Sequence, residues 1–404
     1  MPVKTTTKLL IFAGLVTLVM IVQYFWPEFG QANVIRIEPT GHSVTYNIGD
    51  RPSFHSNGAN MFFLLTREGI TGRTTNMDVS WTEFHSLNRP IMVTRGNFVA
   101  IGETHGGRNV YVFDTDGLLY RVEMPDPVQT FSINPSGVLV VVVQTSYGHG
   151  VHVFTPQRYT ESIYHKRFVG AMQQPTGVDI SECGRYIAIA VWEWELRLGH
   201  TLMIGYINES DYMMWTVEYG VFASESFDMQ TIFAIRFMAD SRLVVLLDSQ
   251  ILCFQVTSRA YAVSHVSFLW DIQMENYFED FMFYDNRHFA LVTGDRRVGV
   301  MDGSPPGTVY IIGVTDGQPV GSYSLGRRVT HLSMGHNAVI VGADRNFHAV
   351  EFDGTLLWEH NSLHETTDVI FLNDTDTILI AGAHRAEVHE RRRVRVSDFE
   401  DVFD

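Results

Sequence analysis

Arginine returns at one kind of position along this chain. It stands between two short apolar runs in Thr66-Arg67-Glu68, Gly107-Arg108-Asn109, Leu196-Arg197-Leu198, Asp295-Arg296-Arg297, Asp344-Arg345-Asn346 and His384-Arg385-Ala386. His105, His149 and His200 sit in the same link of three successive units. A guanidinium is a planar, permanently charged fork of donors that matches carboxylate or phosphate oxygens two at a time. Gathered on one surface, Arg67, His105, Arg108, His149, Arg197, His200, Arg296, Arg345 and Arg385 would form a binding face for an anionic ligand, wall polymer or partner. The bland reading of the same residues is solvated turn arginines, paired with Glu68, Asp295 and Asp344 in exposed contacts worth little.

Other chemistry is not signalled. The chain has no Gly-x-Ser-x-Gly elbow, Walker loop, His-Glu-x-x-His or zinc-ligand spacing, so no catalytic, cofactor-binding or metal-binding residue is assigned. Asp114-Thr115-Asp116-Gly117 has its glycine too early for a calcium loop and lacks the later acidic ligand, which makes it a hairpin turn. His149 and His152 are two ligands short of a structural zinc site. Cys183 and Cys253 lie in different hairpins outside any Cys-x-x-Cys, so they read as small buried residues, with one bond between them as the alternative. Trp192 and Trp194 alternate as strand neighbours do, one inward and one outward.

The elements that carry these residues are strands. Hydrophobic residues make up 45% of the 404 and charged ones only 18%, with short Val, Ile, Phe, Tyr and Thr runs punctuated by Gly, Asp and Asn. A four-strand unit begins near Pro52, Pro90, Pro127, Pro175, Met229, Phe278, Arg327 and Thr366, at the spacing of about 40 to 50 residues that suits propeller blades. In PVQTFSINPSGVLVVVVQ the turn Asn134-Pro135-Ser136-Gly137 separates the first two strands, and Glu182-Cys183-Gly184 fills that place in PTGVDISECGRYIAIAVW. Asp116-Gly117, Asp316-Gly317 and Asp353-Gly354 mark the third turn of other units. The fold expected is an all-β propeller of four-stranded blades over residues 51–396. Eight blades are favoured, with seven, closed by residues 33–60, as the alternative. In such a ring the arginine links share one face, and the turns at Asp116, Asp240, Asp285, Asp316, Asp353 and Asp374 share the other.

Val-Glu-Phe-Asp-Gly-Thr-Leu-Leu-Trp at 350–358 resembles the blades of WD-repeat and pyrroloquinoline-quinone-type propellers. With NVYVFDTDGLLYRV at 109–122 and the apolar N-terminus, the whole chain is similar to a family of N-terminally anchored bacterial propellers, a domain of unknown function. The resemblance implies a bacterial cell-envelope protein and supplies no active-site residues. The adjacent-cysteine pair typical of many quinoprotein dehydrogenases has no counterpart here.

An uninterrupted apolar run from Leu9 to Trp26 follows Lys4 and Lys8 and ends in Tyr24, Phe25 and Trp26. Its length and aromatic end suit a transmembrane helix, and the lysines put residues 1–8 in the cytoplasm and the propeller outside. A cleaved signal peptide ending at Gly30-Gln31-Ala32 is the alternative. Residues 27–50 then form a linker and candidate closing strand, and 397–404 an acidic tail. Arg391-Arg392-Arg393-Val394-Arg395-Val396 reads as a closing edge strand or, alternatively, a basic patch for membrane phosphates. The net charge of −16 excludes a nucleic-acid binder. The function expected is a membrane-anchored extracytoplasmic binding or scaffold module for an envelope protein or anionic ligand. The alternative is a quinoprotein-like enzyme or redox protein with its site in the central channel.

Overall fold

A computed structural model describes residues 33–395, apart from 48–49, 51, 58–60, 104–105, 171–172, 194–198, 208–214, 218–230, 249, 260–262, 274–276 and 295–306. The apolar run 9–26, and the transmembrane helix expected there, lie outside the described residues. No helix among the described residues is long and apolar enough to cross a membrane.

The strands form eight four-stranded antiparallel sheets. In chain order, blades 1 to 7 open with Ser53–Ser56, Pro90–Arg95, Val128–Ile133, Gln173–Ile180, Ile232–Phe237, Tyr277–Phe283 and His331–Gly335. Blade 8 opens with Thr366–Phe371, and its outermost strand is Asn33–Thr45, hydrogen-bonded beside Arg385–Arg395. The candidate closing strand therefore completes an eighth blade and not a seventh. It also corrects the place of the arginine run: Arg391 to Arg395 continue the third strand of blade 8, and the edge belongs to the N-terminal segment.

Pro39–His389 is one compact unit. In the other, residues 33–38 and 390–395 are described, and there Arg392 lies 3.9 Å from Glu38 and 3.6 Å from Glu390.

Second strands show why these sequences make a ring. Leu139–Val143 is buried at every position, as is Tyr186–Val191. A strand with a sheet on each side needs apolar residues at both parities, hence a continuous apolar run. Val138, Val140 and Val142 pack with Ile187, Ile189 and Val191 of blade 4, while Leu139, Val141 and Val143 pack with Ala100, Val110 and Val112 of blade 2. Each buried valine contributes about 1.5–3 kcal/mol, and removing a neighbouring blade would expose half of every such set. Fourth strands alternate instead: Val79–Phe84 and Pro319–Ser324 keep every second side chain in solvent.

Tryptophans on fourth strands stitch blades together. The indole N–H of Trp81 donates to Thr115 O (3.0 Å), that of Trp270 to Val314 O (3.1 Å) and that of Trp358 to Thr375 O (3.3 Å), each in the next blade. Trp192 is half-buried, edge-on to His200. Trp194 lies outside the described residues.

Candidate functional site

Two kinds of turn emerge on opposite faces of the ring. On one, the links between second and third strands hold the connections that leave for the next blade. Leu87 N–H donates to Arg67 O (3.1 Å), Met124 to Arg108 O (2.7 Å), Gly170 to Tyr147 O (2.7 Å), Ser362 to Arg345 O (2.8 Å) and Tyr46 to His384 O (3.0 Å). The backbone of the link is thereby occupied, and its side chain is directed outward. On the other face, turns between first and second strands touch their neighbours: Asn134 Nδ2 donates to Ser181 O (2.8 Å), and Ala239 N–H to Asn286 O (2.7 Å). Asp116, Asp240, Asp285, Asp316, Asp353 and Asp374 all lie in turns of this second face. Several are consumed by their own turns: Asp285 Oδ1 accepts from Arg287 and His288 N–H, Asp316 Oδ1 from Gln318, Asp353 Oδ1 from Thr355, and Asp374 Oδ1 from Asp376 and Thr377. Asp114 Oδ1 accepts from Asp116 N–H, so the calcium-like tetrad is a hairpin turn.

The residues singled out in the sequence divide accordingly. Arg67, Arg108 and Arg345 are exposed on the link face and form no ion pair among the described residues. Arg385 is exposed too, but its Nε is 2.9 Å from Glu387 Oε1, and its Nη2 donates to Ser43 Oγ (3.0 Å). His149 and His200 are the second residues of third strands (Gly148–Phe154 and Gly199–Tyr206), and not link residues. His200 is buried: its Nδ1 accepts from Ile232 N–H (3.3 Å) and its Nε2 faces Thr176 Oγ1 (3.1 Å). Burial lowers its pKa to about 4, so it is a neutral brace between blades 4 and 5. His149 is half-buried, and burial lowers its pKa as well. His105, Arg197 and Arg296 lie outside the described residues.

Sequence reasoning missed the apolar part of this face. Among the described residues, the four most exposed large hydrophobic ones are Leu363 (87%), Tyr147 (82%), Phe84 (78%) and Val169 (77%). Phe84 and Val169 end the fourth strands of blades 1 and 3, Tyr147 sits in the link of blade 3 and Leu363 in the connection to blade 8. All four therefore lie on the link face, among the arginines. One signal was present: Ser146-Tyr147-Gly148 puts tyrosine where other links have arginine.

The channel side of the ring holds a separate polar network. Arg95, at the end of the first strand of blade 2, reaches Asp179 of blade 4 (3.1 Å), Asn286 of blade 6 (3.2 Å) and Phe237 O of blade 5. Asp179 also accepts from Ser132 Oγ (2.7 Å) and Phe237 N–H (2.6 Å). Nearby, Arg236 Nη2 contacts Thr94 O (3.5 Å), and Thr94 Oγ1 contacts His55 Nδ1 (3.1 Å). His55 and Arg236 keep some surface open to solvent, yet the protein packed around them lowers both pKa values. His55 falls to about 4 through burial and then Arg236, and Arg236 to about 10 through burial and then Arg95, opposed by Asp179. This is the pKa-perturbed cluster that a channel enzyme would show. Its Asp179 and Arg95 atoms, however, are spent on one another and on backbone, which makes the cluster a brace across the ring.

Cys253 is buried and Cys183 exposed, and both are free thiols. No group of three or more His, Cys, Asp or Glu able to hold a metal ion occurs among the described residues.

A sequence model described as "Family of unknown function (DUF5711)" matches residues 53–389. No curated protein matches the chain. Among solved structures, BamB from Moraxella catarrhalis aligns at 12% identity and a TM-score of 0.49, covering 88% of this chain and 100% of that one. The β-propeller domain of Myceliophteria thermophila Cps50 (Swd1) aligns at 13% identity and 0.47, over 88% and 99%. The C-terminal WD40 domain of Sif2 aligns at 10% and 0.49, over 89% and 98%.

Proposed function

The chain belongs to this family of unknown function, and from its own residues we propose that it is a non-catalytic binding module whose working surface is the link face. The observation that carries this reading is the meeting on that face of exposed Arg67, Arg108 and Arg345 with exposed Leu363, Tyr147, Phe84 and Val169. Aromatic anchors beside arginine donors are the composition of protein-recognition surfaces. On a chain of net charge −16, exposed arginines on one face select carboxylate- or phosphate-bearing partners by steering as well as contact. The partner is an envelope protein or another anionic ligand. The apolar run 9–26 anchors the module in a membrane with residues 1–8 in the cytoplasm and the propeller outside, as Lys4 and Lys8 direct.

Immobilised poly-L-glutamate is a probe for the surface. Binding should weaken as salt rises from roughly 20 to 200 mM, where screening shortens, and Arg67→Ser, Arg108→Ser and Arg345→Ser together should remove most of it while melting is unchanged. Equal binding by the triple variant would refute the surface. A C-terminal alkaline phosphatase fusion should be active only outside the cytoplasm, and an inactive fusion would refute the topology.

A further inference from the structure

Between the link-face ends of blades 2, 3 and 4 lies a cavity of about 800 Å³. Its size falls within the range of small-molecule sites, roughly 300–1,000 Å³. Gln129, Gln144, Gln174, Thr145, Ser146 and His149 line it, with Tyr147 and Val169 also contributing. Among the described residues, none that lines it is Asp, Glu, Lys or Arg. Backbone comes close at Gly148, whose φ of +142° is a glycine conformation and where a Cβ would meet the Phe168 carbonyl.

Behind this wall, His149 Nδ1 and Gln129 Oε1 are buried and have no hydrogen-bond partner among the described residues, so neither atom faces the cavity. The His149 ring is hydrogen-bonded to the Gln173 backbone, and burial lowers its pKa, which keeps the imidazole from adding a positive charge to the wall.

We propose that this cavity is a binding site for an uncharged, hydroxyl-rich ligand of the size of a disaccharide. A charged ligand would enter without a counter-charge in the wall, whereas sugar hydroxyls donate and accept at once, as the Gln144 and Gln174 amides do. The Tyr147 ring, 82% exposed at this wall, offers an apolar face to a pyranose and a polar edge to its hydroxyls. The site contains none of the arginines and shares only Tyr147 and Val169 with the anionic-partner reading, so the triple arginine variant separates the two.

Cellobiose, maltose and N,N′-diacetylchitobiose serve as neutral probes in saturation-transfer NMR and titration calorimetry on the full-length chain. At least one should bind with a dissociation constant of about 1 mM or below. Gln144→Leu and Gln174→Leu should each weaken it about tenfold or more, and Tyr147→Ala, at an exposed position that leaves folding intact, should do the same. The triple arginine variant should bind it unchanged. No binding of any probe at about 10 mM, binding that survives Tyr147→Ala, or uptake of triglycine in place of the sugars would each overturn the proposal.

Discussion

Asp179 is the counter-ion of two cations, and its removal should show how much the ring depends on that brace. Its side chain is 1% exposed and that of Arg95 4%. Asp179→Asn keeps the shape while deleting the charge. It leaves Arg95 and Arg236 facing each other with no anion between them, since Asp179 is the group that offsets their mutual effect. Breaking a buried pair from one side costs about 3–5 kcal/mol, which lowers the melting temperature by roughly 4–7 °C in a body of this size. Arg95→Met should cost less, because Asp179 retains Ser132 Oγ, Phe237 N–H and the nearby Arg236. The double variant should be no worse than Asp179→Asn alone, a coupling that urea titrations of all four proteins would measure. A cost below about 1 kcal/mol for Asp179→Asn, or additive costs in the double variant, would refute the idea that these groups form one network.

Stability should fall as pH drops from about 6.5 to 4. His55, His152, His200 and His389 are all lowered to about 4 by burial. The unfolded chain thus binds their protons first, and stability present above pH 6.5 is lost towards pH 4. Asp280 and Asp368, raised by burial, act in the opposite sense, so His200→Gln should flatten the slope measured by urea titration without abolishing it. A thiol reagent should modify one cysteine of the folded protein at pH 8, Cys183, because burial pushes Cys253 to about 12. Modification of both at equal rates would contradict the packing. Trp81→Phe should cost about 1 kcal/mol by losing the bond to Thr115 O while keeping the stacking on Phe113 (5.4 Å). Truncation before Thr366 exposes the facing sides of blades 1 and 7 and should give an aggregating product on size exclusion, whereas a cooperatively melting monomer would show that the ring does not need closure.

Blade order was legible because it is written locally. The all-apolar second strands and the Asp- and Asn-led turns each carry their own physics, so eight units could be laid down within a few residues of the strands found. What escaped is non-local. Nothing near Arg95 announces Asp179, which is 84 residues away. Residues 27–50 read as a linker with a candidate closing strand, but nothing in the polar stretch Glu38-Pro39-Thr40-Gly41-His42-Ser43 names its partner at Arg385–Arg395. His200 was misplaced for a metrical reason, since the residue following Gly199 starts the third strand and turns inward beside Thr176. Strand counting alone put Arg67, Arg108, Arg345 and Arg385 in or beside links between second and third strands, whereas Arg197 and Arg296 lie outside the described residues. The apolar residues among them were invisible because Phe84 and Val169 look like ordinary strand residues until the neighbouring sheet fails to cover them.

The outer strand of blade 8 is synthesised first and used last. About 340 residues separate Thr45 from Arg385, so at about 5–20 residues per second a nascent chain waits roughly 17–68 s before the partner of that strand emerges. Over that interval an unpaired strand is a template for misassociation. Proline, glycine and hydroxyl residues in its middle keep it soluble and poorly self-complementary while it waits. Its plain sequence suits that waiting state, and blade 8 is completed only once Arg385–Arg395 has been delivered.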